Sequence, residues 1–144
     1  MKILMTLAAA VALAVLSLHA ADPAATYVDH DKVAEAFAKG GALAQGSDFS
    51  ASVARRAGPG QVEVHEKETD IFYITEGDAT FVTGGTMVGG KLSRPGQWLG
   101  TDIQGGVTHH LTKGDIITIP AGVPHWFKEV KSPILYYMVK VIRP

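Results

Sequence analysis

The segment GDIITIPAGVPH, residues 114–125, is the stretch of this sequence that decides the fold. Residues 116–119 are all β-branched, which predicts a strand. Gly114 precedes this strand and Gly122 follows it, so turn-forming residues bound it on both sides. His125 comes next, where the chain leaves the second turn. The segment therefore predicts a strand and a turn that bring an imidazole into a β-structure.

A second segment, Glu63-x-His65-x4-Asp70, supplies three more side chains that can bind a metal. Apolar and polar residues alternate around the first two, and the two-residue period of a strand puts Glu63 and His65 on one face. Asp70 stands directly before residues 71–75, a β-branched and aromatic run that predicts the next strand. With His125, the segments offer two imidazoles and two carboxylates that can converge on one metal ion. The alternative is that the charged run between the two strands is a solvated turn.

The rest of the chain predicts an all-β domain with one short N-terminal helix. Residues 29–39 carry an apolar stripe at helical spacing, with Asp29 or Asp31 as the N-cap and two glycines at the end. Residues 89–106 are rich in glycine and predict a long loop or a loosely formed hairpin. Many short strands between glycine and proline turns are typical of an antiparallel sandwich or barrel. Further strands are predicted at residues 49–57, 79–83, 107–111 and 134–142.

The N-terminus of the chain predicts export. Lys2 precedes a long apolar run, residues 3–18, and small residues follow it, which is typical of a signal peptide. A transmembrane anchor is the alternative, because the run is close to the lower length limit for a span. We assign residues 1–20 to the signal peptide, residues 21–48 to a lead with the short helix, and residues 49–144 to one β-barrel domain.

The composition excludes several classes of site and partner. The 144 residues include no cysteine, so zinc–thiolate and iron–sulfur sites are excluded. Lys and Arg total 13, Asp and Glu total 14, and no basic run is present. Nucleic acid is therefore not an expected partner. No membrane contact is expected once the signal peptide has been cleaved.

The two segments resemble the two sequence motifs of the cupin family. The second motif, Gly-x5-Pro-x-Gly-x2-His, is present without a gap at Gly114, Pro120, Gly122 and His125. The first motif is present with departures. Glu63 stands where the family usually has its first histidine, and Asp70 stands where glutamate is usual. His65 and Gly77 match the motif at the expected spacing.

The resemblance covers roughly residues 49 to 142 and points to the small single-domain bacterial type of cupin (cupin-2-like). It implies a jelly-roll β-barrel with a divalent metal ion inside. Carried over position by position, the metal ligands would be Glu63, His65, Asp70 and His125.

The donor set of two carboxylates and two imidazoles favours Mn, Fe or Zn over Cu(I), which prefers sulfur. Four protein ligands leave coordination positions open for water, dioxygen or a small oxygen-rich ligand. The function predicted on this basis is an exported metal-binding cupin that acts on a small oxygen-rich molecule. Whether it is an enzyme stays open, and as an enzyme it would be a metal-dependent oxygenase, isomerase or lyase of cupin type. Two alternatives stay open: a non-catalytic small-molecule or metal-binding module, and a metal-free structural barrel.

Four side chains are predicted to contact the small-molecule ligand. Neighbouring strand residues face opposite ways, so one residue of the Arg55-Arg56 pair and one of the His109-His110 pair face inward. An inward arginine would bind a substrate carboxylate through both arms of its guanidinium. Lys67 has the inward parity of His65 if its strand stays regular, although a turn is expected there. Alternation from Asp70 turns Phe72 inward. The predicted contacts are Arg55, Lys67, Phe72 and His110.

A homodimer is also expected, because barrels of this resemblance are commonly dimers. The strand parity turns Val62, Val64, Ile71 and Tyr73 outward, and this apolar face would be buried between two copies of the chain.

Overall fold

The structure is a computed structural model that describes residues 24–144. The predicted signal peptide lies outside the described residues. In the described part, no helix combines the length and the apolar character needed to cross a membrane. The elements are α1 (His30–Lys39), β1 (Gly41–Gln45), β2 (Phe49–Arg56), β3 (Val62–His65), β4 (Glu68–Glu76), β5 (Asp78–Thr83), β6 (Thr86–Val88), β7 (Lys91–Arg94), β8 (Gln97–Gly100), β9 (Asp102–Gln104), β10 (Val107–Thr112), β11 (Ile116–Ile119), β12 (His125–Glu129) and β13 (Ile134–Ile142).

Helix α1 begins and ends at the residues that the sequence indicates. The carboxylate of Asp29 accepts a hydrogen bond from the backbone N–H of Lys32 at 3.0 Å, so Asp29 rather than Asp31 is the N-cap. Gly40 ends the helix with φ 78°, and its N–H donates to the carbonyl of Ala36. The predicted short N-terminal helix is confirmed.

Two antiparallel sheets form the barrel. The first has the strand order β1-β2-β13-β4-β11 and the second has the order β10-β5-β12-β3-β8-β7. Strands β6 and β9 pair separately. The strands of each sheet come from distant parts of the chain, which is the topology of a jelly roll. The predicted all-β, single-domain jelly-roll barrel is therefore confirmed.

An aromatic core fills the space between the sheets. Phe127 packs against Phe81 with ring centroids 4.6 Å apart, and Phe72 packs against Tyr136 at 4.8 Å. Phe81 also lies 6.1 Å from the imidazole of His125. The aromatic core therefore borders the polar part of the barrel interior and packs against His125 there. Its buried members are Phe72, Ile74, Ala79, Phe81, Leu111, Ile119, Phe127, Ile134 and Tyr136.

The glycine-rich segment is more ordered than a loop. Strands β7 and β8 form a hairpin that extends the second sheet through the pairing of β8 with β3. This is the hairpin alternative of the prediction. Gly106 brings the segment close to the second sheet, because a Cβ at this position would lie 2.7 Å from Cγ1 of Val82. Strand β1 was not predicted from the sequence.

The outward face predicted for dimerisation is only partly exposed. Val62 is completely buried within the chain, so it is not available for an interface between two copies. Val62 pairs with Gly100, and the side chain of Met87 lies against Gly100, so the β6 strand covers this part of the sheet. Tyr73, on the other sheet, is 45% exposed.

Candidate metal centre

The four ligands that the cupin resemblance implies meet in the barrel. Glu63 and His65 project from β3, and His125 lies on β12, paired with Glu63 across the two strands. Asp70 comes from β4 in the opposite sheet. His65, Asp70 and His125 are buried, with at most 5% of each residue exposed. The structure therefore brings together the four side chains that the sequence singled out.

The distances between the donor atoms suit a metal ion. Nε2 of His65 lies 3.4 Å from Oε2 of Glu63 and 3.5 Å from Oδ2 of Asp70. Nε2 of His125 lies 3.7 Å from the same Oδ2 atom. Two ligand atoms that each lie about 2.1 Å from an ion are about 3.0 Å apart at an octahedral angle and about 3.4 Å apart at a tetrahedral angle. Each of these three separations is within a few tenths of an ångström of those values, and the donor atoms of Glu63, His65 and His125 all lie within 4.8 Å of one another.

Both histidines have their other ring nitrogen placed by an outer partner. Nδ1 of His125 lies 3.1 Å from the carbonyl oxygen of Val123. Nδ1 of His65 is buried and lies 3.5 Å from Oε2 of Glu68. Metal-binding histidines commonly donate their second N–H to a carbonyl or a carboxylate, which fixes the ring and its tautomer. This arrangement leaves both Nε2 atoms free to face the ion.

Two triplets of metal-ligating side chains occur in residues 24–144 with donor atoms within 4.8 Å of one another. One is Glu63, His65 and His125, and the other is His65, Glu68 and Asp70. Nζ of Lys140 lies 2.7 Å from Oδ1 of Asp70 and 3.0 Å from Oε2 of Glu68. The carboxylates of the second triplet therefore already have a cation. The first triplet, joined by the free Oδ2 of Asp70, is the better place for a metal ion.

The electrostatics of the first triplet favour the protonation states that bind a metal. A hydrogen bond from His65 lowers the pKa of Glu63 against the effect of burial, and His125 and Arg56 lower it further. Burial lowers the pKa of His125, so its imidazole is neutral at pH 7. Metal binding requires a carboxylate and a neutral imidazole, and the folded protein provides both.

The site opens into a cavity of about 290 Å³. Arg94 and Gln97, from the β7–β8 hairpin, line it together with residues of both sheets, and Arg94 donates a hydrogen bond to Gln97. The volume lies at the lower end of the range for small-molecule sites, so the cavity suits a small ligand. The lining residues are Ala54, Arg56, Glu63, His65, Asp70, Phe72, Arg94, Gln97, His125, Phe127, Tyr136, Met138 and Lys140.

Of the four predicted substrate contacts, the structure places Phe72 at the cavity. Arg55 is exposed and lies with Phe37 and Glu76 on the outer side of the first sheet. Arg56 is the arginine that faces the cavity. The correction has a physical reason: the apolar side chains of β2 face helix α1, and Arg55 shares their parity.

Lys67 and His110 also lie away from the cavity lining. Lys67 is exposed in the turn between β3 and β4, where its carbonyl accepts a hydrogen bond from the N–H of Arg143. The strand therefore does not stay regular past His65. His110 is exposed on β10, while its neighbour His109 is hydrogen-bonded to the hydroxyl of Thr83 at 2.8 Å.

The sequence analysis missed Glu68 and Lys140, and of the Arg55-Arg56 pair it chose the residue that does not face the cavity. Glu68 has the same strand parity as Asp70 and Phe72, and this signal could have identified it as an inward residue. Lys140 is paired with Asp70 across β13 and β4. The two residues are 70 positions apart in sequence, and no local pattern announces this register.

Comparisons with known proteins agree with this fold. Residues 18–141 match the protein family described as Cupin, and the chain belongs to the cupin family. A comparison with curated proteins found no match.

Solved structures share the barrel at low sequence identity. The Bacillus halodurans protein BH2720 has a TM-score of 0.58 at 15% identity, and the match covers 82% of this chain and 82% of that one. The Schizosaccharomyces pombe Cnp3 cupin domain has a TM-score of 0.52 at 15% identity, over 72% of this chain and 59% of that one. The DMSP lyase DddQ from Ruegeria pomeroyi has a TM-score of 0.50 at 19% identity, over 71% and 45%. This chain thus spans less than two thirds of the last two chains, and the likeness shows the fold alone.

Proposed function

We propose that this chain is an exported, metal-binding cupin that acts on a small oxygen-rich molecule through a divalent ion in its barrel. The observation that carries the proposal is the approach of Nε2 of His65 to carboxylate oxygens of Glu63 and Asp70 at 3.4 and 3.5 Å, beside Nε2 of His125. Mn, Fe and Zn suit this donor set better than Cu(I).

The proposal assigns a separate task to each group of side chains. Glu63, His65, Asp70 and His125 hold the ion, which when bound supplies a Lewis acid or an oxygen-activating centre. Glu68 orients His65 through Nδ1. Phe72 and Phe127 close the inner end of the cavity and keep water away from the ligand. Oxygenation, isomerisation and lyase chemistry are all compatible with such a site.

Export and dimerisation are part of the same proposal. Export is supported by the charged, apolar and small-residue pattern of residues 1–20. A dimer interface would use the exposed apolar side chains of the first sheet, among them Tyr73 and Ile116. A monomeric mass measured by light scattering at micromolar concentration would remove the dimer from the proposal.

A metal-free binding module is the second candidate, and one observation favours it. Lys140 already neutralises carboxylates of Glu68 and Asp70 at 3.0 and 2.7 Å. The ammonium group of Lys140 stabilises these two acids in the folded state, so the barrel can fold without a bound metal ion.

Metal titration separates the two candidates. The protein is stripped with a chelator and titrated in turn with Mn(II), Fe(II) under nitrogen, and Zn(II), and the bound metal is measured by elemental analysis after desalting. We expect one ion per chain. His125→Ala is expected to weaken binding by more than the roughly 10- to 100-fold that loss of an outer partner costs.

His110→Ala is the matched control, because this histidine is exposed and lies outside the cavity lining. Its metal affinity should equal that of the wild type. If the wild type takes up no stoichiometric metal, or if both variants bind as the wild type does, the metal proposal fails. A substrate screen on metal-loaded protein, with dioxygen consumption followed, separates enzyme from carrier, and His65→Ala should abolish any turnover.

A further inference from the structure

The charges around the cavity cancel before a metal binds. In the described residues, three carboxylates and three basic side chains surround the cavity, so their formal charges sum to zero. They are Glu63, Glu68 and Asp70 on one side of the sum and Arg56, Arg94 and Lys140 on the other. A divalent ion therefore gives the site two positive charges in excess. A partly enclosed excess of this kind is unfavourable, and a ligand that carries negative charge relieves it.

Arg56 is the cation whose hydrogen-bonding capacity is least used. Lys140 is engaged with two carboxylates, whereas the closest contact of Arg56 with an acid is 3.8 Å, from Nη2 to Oε1 of Glu63. Nε of Arg56 is buried and has no hydrogen-bond partner. A buried guanidinium N–H without an acceptor costs free energy, so the site is prepared for an acceptor from a ligand.

The guanidinium of Arg56 is held in place by its surroundings. It lies over the ring of Phe127 at 4.9 Å from the centroid, which restrains its plane. Gly60 also lies close to the guanidinium, and a Cβ there would be 2.6 Å from Nη1. The N–H of Gly60 is itself bonded to the carbonyl of Phe127 at 3.0 Å. A guanidinium fixed in this way loses little freedom when it binds a planar anion.

Arg56 is also close to the metal donors. One carboxylate, that of Glu63, spans from the guanidinium to Nε2 of His65. The guanidinium and a metal donor are therefore close enough to contact one carboxylate at the same time. We propose that the ligand of this cavity is a small organic carboxylate, bound both by the metal and by the forked guanidinium of Arg56. This inference rests on the proposed function, since it requires the ion.

The test uses malonate as the anionic probe and malonamide as its neutral counterpart, in calorimetric titrations of the Zn-loaded full chain. Malonate is expected to bind and malonamide is not. Arg56→Gln is expected to weaken malonate binding about 10- to 100-fold, because hydrogen bonds to a charged group are lost. Arg55→Gln is the matched control, since its side chain is exposed on the opposite face, and its malonate affinity should stay within about twofold of the wild type.

Zinc uptake is measured first for each variant, so the two proposals fail in different ways. If the wild type binds none of Mn(II), Fe(II) and Zn(II), the proposed function and this inference are both overturned; if it binds one of the other two ions instead of zinc, the malonate titrations are made with that ion. If the wild type binds zinc but Arg56→Gln binds malonate as tightly as the wild type, or malonamide binds as well as malonate, this inference alone is overturned. Arg56→Lys keeps the charge and loses the fork, so it supplies the same comparison if Arg56→Gln does not fold, with weaker malonate binding expected.

Discussion

Replacement of Lys140 by methionine should destabilise the metal-free protein. Nζ of Lys140 lies 2.7 Å from a carboxylate oxygen of Asp70, a residue that is only 2% exposed. Methionine keeps most of the volume of the side chain and removes the charge. The carboxylate of Asp70 is then left buried without its cation, which typically costs 3–5 kcal/mol. Because 17% of the lysine side chain is exposed, we expect the lower end, about 3 kcal/mol.

Metal should reverse part of this loss. An ion held by Oδ2 of Asp70 supplies the positive charge that the variant lacks, and the repulsion between the ion and the ammonium of Lys140 is gone. Lys140→Met should therefore bind metal more tightly than the wild type. At about 100 times the dissociation constant, bound metal adds about 2.7 kcal/mol to the free energy of unfolding. At one saturating zinc concentration the variant gains more than the wild type, and the difference between them should shrink by RT times the logarithm of the ratio of their dissociation constants.

The assay is urea unfolding followed by tryptophan fluorescence, with a chelator and then with saturating zinc. In a thermal scan, the same loss of about 3 kcal/mol would correspond to a fall in melting temperature of about 10 °C for a domain of this size. Lys67→Met is the control, because Lys67 is exposed in a turn, and its effect should stay within about 0.5 kcal/mol. A Lys140→Met variant as stable as the wild type without metal would refute the reasoning. So would a variant that zinc stabilises less than it stabilises the wild type.

Three further results are expected. Burial lowers the pKa of His125 below 6.5, so just below that pH the folded metal-free protein binds fewer protons than the unfolded chain. The stability of the metal-free protein should therefore fall as the pH drops through about 6.5. In urea unfolding from about pH 5 to 7.5, His125→Asn should flatten this dependence. Gly77→Ala should lower the unfolding free energy by more than about 1 kcal/mol, because φ is 77° and the new Cβ would lie 2.3 Å from the carbonyl oxygen of Pro133. Gly114→Ala, with φ 94° and open space around the new Cβ, should cost less. Equal losses in calorimetry would contradict the steric argument. Chelator treatment should lower the melting temperature of the wild type and leave that of His125→Ala unchanged, and a wild-type transition that does not respond to chelator would argue against a resident metal.

The sequence predicted which strand faces the candidate metal ligands occupy, because strand parity is local. Glu63 and His65 share a face whichever strands surround them, and Asp70 and Phe72 share another for the same reason. The approach of the first pair of residues to the second could also be predicted, because the turn pattern and the cupin resemblance implied two sheets packed face to face. The structure agrees on each of these placements.

The face of β2 could not be predicted in this way. Its apolar residues, Ala51 and Val53, have the same parity as Arg55, but the alternation does not say which side of the strand faces the cavity. Helix α1 covers the outer side of the first sheet, so these apolar residues are buried against the helix. Arg56 consequently faces the cavity. The error came from a tertiary contact that strand periodicity does not encode.

The β7–β8 hairpin shapes the wall of the cavity without supplying a candidate metal ligand. It contributes Arg94 and Gln97 to the wall of the cavity, yet the four candidate metal ligands all lie on other strands. It stands at the edge of the second sheet, joined to the barrel through β3. Changes in the side chains of β7 or in the turn between β7 and β8 can therefore alter which molecules enter, while β8 stays paired with β3, the strand that carries Glu63 and His65. In evolutionary terms, the barrel can acquire a new specificity by substitution or insertion at one exposed edge while its metal chemistry stays intact.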